Sequence, residues 1–235
     1  MNRFYKIIFF VFALLPGCNP GLLTTAPLIP KDMTYKSERK NNLFVFVGEK
    51  IALVDLPYEK GSMDGGFKAT YKILQRVYGN YSGDIIEFTA YDHYGIPAFS
   101  KYKYVMLYVS KFKDGYYHQK YMYNDVYMTT SGRWAGSYSR DYEHSFNEHT
   151  TVKPEKIDFV EEVSYPVRED DVFPEPYFKI VGDRAIAVYG NYIEDLFKLK
   201  KDGFLTARGL FGKDSIRKII VQPLQLEEVV DSTKK

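Results

Sequence analysis

Histidines and carboxylates crowd most densely in the run 143–149, which holds Glu143, His144, Asn147, Glu148 and His149. Two imidazoles meet one zinc ion from a helix when they stand at i and i+4. Here they stand at i and i+5, which also misses the inverted His-x-x-Glu-His pattern by one residue. The run therefore reads as a solvated polar loop, and no metal is assigned to it. Asp92, His93 and Tyr94, with Gly95 and Pro97 behind them, combine a carboxylate, an imidazole and a phenol after an apolar run. Such a loop would orient a histidine for proton transfer or form the polar rim of a binding surface. The same residues also suit a turn built on Asp92, Gly95 and Pro97 with tyrosines packed over it. Arg133 and Trp134, between Gly132 and Gly136, are residue types that anchor interfaces, and Trp134 is equally suited to closing a core.

No nucleophile elbow, phosphate loop or dinucleotide fingerprint is present, so no catalytic residue and no cofactor is assigned. Gly61–Gly66 is rich in glycine but lacks the lysine and following helix that phosphate binding requires, and reads as a hairpin tip. His118, between Tyr117 and Gln119 in a strand pattern, reads as structural or solvent-facing.

The N-terminus is informative about address. Arg3 and Lys6 precede an apolar run, 7–15, that ends in Leu15-Pro16-Gly17-Cys18 with no acidic residue before the cysteine. This is a charged segment, an apolar segment too short to span a bilayer as a helix, and a small residue before a cleavage point. Leu15-Pro16-Gly17-Cys18 resembles the lipobox of bacterial lipoproteins. The resemblance implies cleavage before Cys18, thioether lipidation of its sulfur and acylation, commonly with palmitate, of the new amino terminus. Cys18 is the only cysteine, so the chain makes no internal disulfide and its thiol is accounted for by the anchor. Asn19, rather than an aspartate, follows it, which favours the periplasmic face of an outer membrane in a two-membrane cell.

Loss of residues 1–17 removes Arg3 and Lys6 from Lys+Arg 32 and brings the total level with Asp+Glu 30. A formally neutral exported domain has no electrostatic footprint for nucleic acid, and its attachment to membrane would come from acyl chains. Tyr 22 and Phe 17 against a single Trp favour half-buried pleated surfaces. Their ring faces also invite a carbohydrate reading, although a β core needs the same residues.

The elements that would hold these loops follow from periodicity. Residues 18–42, with Pro20, Pro27 and Pro30, read as a tether. Runs at 43–47 and 51–56 around Gly48 suggest a hairpin. Phe67, Ala69, Tyr71, Ile73 and Val77 alternate with Lys68, Thr70, Lys72 and Arg76, the period of a strand with one wet face. Strands are expected at 84–91, at 102–109 with both faces covered, and at 116–128 after a Lys113–Gly115 turn. Residues 129–155 read as a long loop or the edge of the first unit, 157–163 and 177–181 as strands, 217–221 as a last strand. A short helix is expected from an Asn191 cap to a terminating Gly203. The expected fold is mainly β: a small OB-like antiparallel barrel of five to six strands with a C-terminal α+β extension. Its divisions are a signal peptide at 1–17, the tether at 18–42, the barrel at 43–153, the extension at 154–225 and a flexible tail at 226–235.

LFVFVG at 43–48, FKATYKILQRVY at 67–78 and GDIIEF at 83–88 resemble the opening strands of netrin-like domains, which include the tissue inhibitors of metalloproteinases. The resemblance covers about a fifth of the chain and implies an OB barrel. The inhibitory chemistry of that family does not carry over, because it needs a free N-terminal cysteine and disulfides. The expected function is a lipid-anchored cell-envelope module that binds an envelope protein, of inhibitor or immunity type, with Asp92, His93, Tyr94, Arg133 and Trp134 as its binding loops. Its rivals are an envelope hydrolase built on His93 or on the His144/His149 loop, and a structural lipoprotein without a ligand.

Overall fold

Alternation makes the first wall. Phe67, Ala69, Tyr71 and Ile73 are buried and Lys72 is exposed between them, the period of two that puts successive side chains on opposite faces of a strand. They form β2 (Gly65–Tyr78) in a computed structural model that describes residues 42–58 and 61–211. With β1 (Leu43–Asp55), β3 (Ile85–Asp92), β4 (Tyr104–Phe112) and β5 (Gly115–Asp125) it closes a barrel in the order β1-β2-β3-β5-β4, β4 pairing back to β1. All pairs are antiparallel except β3 with β5. The chain is thus mainly β, with an OB-like five-stranded barrel and a short C-terminal helix.

Two strands carry unbroken apolar runs because both of their faces are covered. On β1, Phe44 and Phe46 point into the barrel, while Leu43, Val45 and Val47 join a second core outside it. On β4, Val105, Leu107 and Val109 point in, and Met106 and Tyr108 point out. The outer core is closed by α1 (Ile193–Lys200), through Ile193 and Leu196, and by Leu205, Leu210 and Phe211 after it.

The hairpin expected around Gly48 is corrected by this arrangement. β1 is one continuous strand whose register against β2 shifts at three points, one of them between Val47 and Gly48. Gly48 is there for space: a Cβ would lie 2.7 Å from Phe46 Cε2 and 3.1 Å from Tyr71 Cδ1. The turn after Lys113, the strand at 84–91 and the strand at 102–109 are found nearly where expected.

Beyond the barrel, β6 (Tyr127–Met128), β7 (Trp134–Ser137), β8 (Glu155–Lys156) and β12 (Tyr189–Tyr192) form a sheet in the order β6-β7-β12-β8. This sheet crosses position 153. A second sheet orders β10 (Phe178–Val181), β11 (Arg184–Ala187) and β9 (Ser164–Pro166). The segment expected as a loop at 129–155 therefore holds β7 and two 3-10 turns, Arg140–Glu143 and Ser145–Asn147. The strand expected at 157–163 is reduced to a single bridge between Phe159 and Thr129, whereas the one expected at 177–181 is β10.

The helix is also corrected at both ends. Tyr192 occupies its N-cap, and the fully buried Asn191 is used elsewhere, accepting from Tyr142 Oη at 2.8 Å and donating to the Lys153 carbonyl at 2.9 Å. Gly203 does not end it but lies in a π-helical turn, Lys201–Leu205, where a Cβ would collide with the Asn147 carboxamide. The signal segment, Cys18, the tether to residue 41, the strand expected at 217–221 and the tail all lie outside the described residues. Among those described, no helix is long and apolar enough to cross a membrane.

Candidate functional site

At the end of β5, Asp125 is ringed by phenols from distant parts of the chain. Its Oδ2 accepts Tyr165 Oη at 2.6 Å and Tyr127 Oη at 2.9 Å, and Tyr165 Oη lies 2.8 Å from Ser137 Oγ. Burial, and then the Asp125 charge, hold the hydroxyls of Tyr165, Tyr127, Tyr102 and Tyr123 above the ordinary phenol range. These groups therefore stay protonated, and Tyr165 and Tyr127 serve the carboxylate as donors. No ion pair to Asp125 occurs among the described residues.

Asp125 borders a cavity of about 350 Å³ where the barrel meets its extension. Tyr123 reaches it from β5, Ser137 and Tyr138 from β7 and beyond, Tyr165 from β9, and Phe173 from the loop before β10. Phe173 stacks on Tyr165 (centroids 6.2 Å apart, 19° between planes) and meets Phe178 edge to face at 5.1 Å. Lys200 of α1 and Asp141 also line the cavity, locked together at 2.7 Å with both side chains nearly sealed. The recess is aromatic and polar, with two carboxylates, Asp125 and Asp141, and two cations, Arg140 and Lys200, in its lining, a surface able to recognise a hydrogen-bond donor or a cation.

A second cluster gathers at the loop end of the barrel. Asp92 is buried, and its Oδ1 accepts the Tyr94 N–H at 2.9 Å, so it serves as the turn former. His93 Nδ1 lies 3.0 Å from the Met63 carbonyl and 3.5 Å from Asp64 Oδ1, and Asp64 Oδ2 in turn holds Lys120 Nζ at 2.7 Å. Tyr94 packs on His93 and Tyr121 (centroids 5.3 and 6.0 Å) yet is 85% exposed. Tyr121 has φ +65° in a bulge of β5, where the pairing skips from Val109–His118 to Leu107–Tyr123. The bulge pushes Lys120 and Tyr121 out to meet the loop.

Arg133 and Trp134 make their contacts elsewhere. The Arg133 guanidinium lies 3.6 Å over the Tyr192 ring and reaches Glu194 at 3.1 Å. Half-buried Trp134 packs on Tyr104, centroids 5.0 Å apart, against the outer core. Both fasten β7 to its neighbours and neither joins the His93 loop through a described contact. His144 caps the turn at Phe146 and packs on Phe204, and His149 is exposed beside Glu148. No group of three or more His, Cys, Asp and Glu stands together to hold a metal among the described residues.

The Asp125 ring escaped the sequence reading. Tyr123, Asp125 and Tyr127 alternate within one strand pattern, which was the available signal, but Tyr102 and Tyr165 are joined to them only by the fold.

Fold and site together define an OB-like barrel with an α+β extension, carrying a polar and aromatic recess at their junction and an exposed aromatic cluster on its loops. Comparison of the chain with protein-family profiles, curated proteins and solved structures gives no match. These comparisons give no support to a netrin-like resemblance.

Proposed function

We propose that the chain is an exported, lipid-anchored envelope module, held to membrane through Cys18, that binds another protein through the loop end of its barrel. The observation that supports this is the exposure of large side chains around the His93 bridge. Tyr94 is 85% exposed, Met63 79%, Tyr58 72% and Ile96 68%, and Met63, Asp64, His93, Tyr94 and Tyr121 are linked by the contacts given above. Exposed aromatic and Met side chains with a polar rim are the composition of an interface core. An inhibitor- or immunity-type role at the periplasmic face of the outer membrane is the form of binding that the anchor and the neutral domain suit best.

Photo-cross-linking in intact cells tests the proposal, with a photoreactive residue at Tyr94 or, as a control, at Ile180 on the far strand β10, each with and without Cys18→Ser. A discrete protein adduct from position 94, lost with Cys18→Ser and absent from position 180, is the expected result. No adduct, or the same adducts from both positions, would refute it.

A further inference from the structure

Among the described residues, Asp125 is the one ionised group lining this cavity that makes no ion pair; Arg140, Asp141 and Lys200, which also line it, are each paired. Of the ionised groups around it, Lys200 is matched with Asp141 at 2.7 Å and Arg140 lies 3.8 Å from Glu143. That leaves Asp125, half-buried and, among the described residues, hydrogen-bonded through its side chain to the phenols of Tyr127 and Tyr165. Hydroxyl donors offset part of the desolvation cost of a carboxylate but bring no positive charge. Much of the remaining wall is aromatic, with Tyr123, Tyr138, Tyr165, Phe173 and Phe178 lining the space. Rings attract cations through their quadrupole, most strongly where water is excluded.

We propose that this cavity binds a small organic ammonium group, which pairs with the Asp125 carboxylate and packs its carbon substituents against the rings. The site is separate from the loop cluster and independent of the protein-binding reading. An anion is disfavoured by the Asp125 carboxylate, and a metal ion by the lack of clustered ligands among the described residues. A neutral sugar would leave the carboxylate without a counter-charge. The volume, about 350 Å³, is at the small end of ligand pockets and suits a headgroup-sized cation.

The choice between quaternary and primary ammonium belongs to the experiment. Ligand-observed saturation-transfer NMR on the full chain would compare choline, ethanolamine and 3,3-dimethylbutan-1-ol, the uncharged isostere of choline. At least one of the two cations should bind saturably with a Kd of about 1 mM or lower, and the neutral isostere about tenfold more weakly or worse. Tighter choline binding would assign a quaternary ligand, tighter ethanolamine binding a primary one. Asp125→Asn should weaken binding about tenfold. Phe173→Leu keeps the carboxylate but removes a ring from a loop position; it should weaken binding about threefold, and it serves as the test if Asp125→Asn does not fold. Equal binding of cation and isostere, no saturable binding of either cation, or unchanged binding in the folded variants would overturn the proposal.

Discussion

Lys200 of α1 and Asp141 of the turn after β7 form an ion pair, Nζ to Oδ1 at 2.7 Å, with side chains only 10% and 12% exposed. Lys200 Nζ also lies 5.1 Å over the Phe204 ring, and Asp141 Oδ2 finds no hydrogen-bond partner among the described residues. The pair ties the helix that covers the barrel to the segment that borders the cavity. Removing one partner should cost more than removing both, because the survivor is left charged and dry. Lys200→Met is expected to lose about 3 kcal/mol of stability, with Lys200→Met/Asp141→Leu losing clearly less. Urea unfolding of both variants and of Asp141→Leu alone closes the cycle.

His118 gives the fold a defined acid limb. Its Nε2 lies 2.8 Å from the Met122 carbonyl, so that nitrogen carries the proton, and the ring packs 4.6 Å from Phe99. Burial lowers its pKa to about 4. The unfolded chain takes up this proton near pH ~6.5, so the stability contributed by the neutral ring is complete above that pH. It is lost progressively as pH falls toward about 4. The loss should total about 3 kcal/mol, and His118→Gln should flatten that part of a melting-temperature profile against pH.

Tyr71 is fully buried inside the barrel between Phe88 and Phe99, and its hydroxyl has no hydrogen-bond partner among the described residues. Tyr71→Phe removes a desolvated polar atom and keeps the ring. It should therefore be neutral or stabilising, by about 1 kcal/mol. Thermal melts decide the sign, and clear destabilisation would mean the hydroxyl is satisfied.

Gly48 distinguishes a turn from a packed strand. In a turn at the tip of a hairpin alanine would be tolerated. Against the Phe46 ring, with a Cβ 2.7 Å from Cε2, Gly48→Ala should cost about 1–3 kcal/mol, measured by urea unfolding.

Elements with one wet face were legible because alternation is local, as β2 shows with Phe67, Ala69, Tyr71 and Ile73. The double burial of β4 was legible for the same reason. The continuity of β1 through Gly48 was not, since what fills the missing side chain's place is the rings of Phe46 and Tyr71. β7 and β8 were missed because short strands in polar sequence are recruited by β12, more than fifty residues beyond β7. At the candidate sites, His93 and Tyr94 stand out by residue type, whereas the pairings of Asp64, Lys120 and Asp125 are with partners that adjacency in sequence does not reveal. The pairing of Asp64 with Lys120 spans 56 residues.

The wall shared by β1 and β4 has a consequence for the order in which the molecule can be completed. A chain made or threaded from its N-terminus can pair all of the barrel strands once residue 125 has emerged. Val45, Met106 and Tyr108 would then still face outward, waiting for Ile193, Leu196 and Leu205 to arrive. For that interval the half-made protein carries an uncovered oily face. A C-terminal deletion that stops short of α1 makes the interval permanent, and such a product should precipitate or be degraded rather than persist as a smaller working barrel.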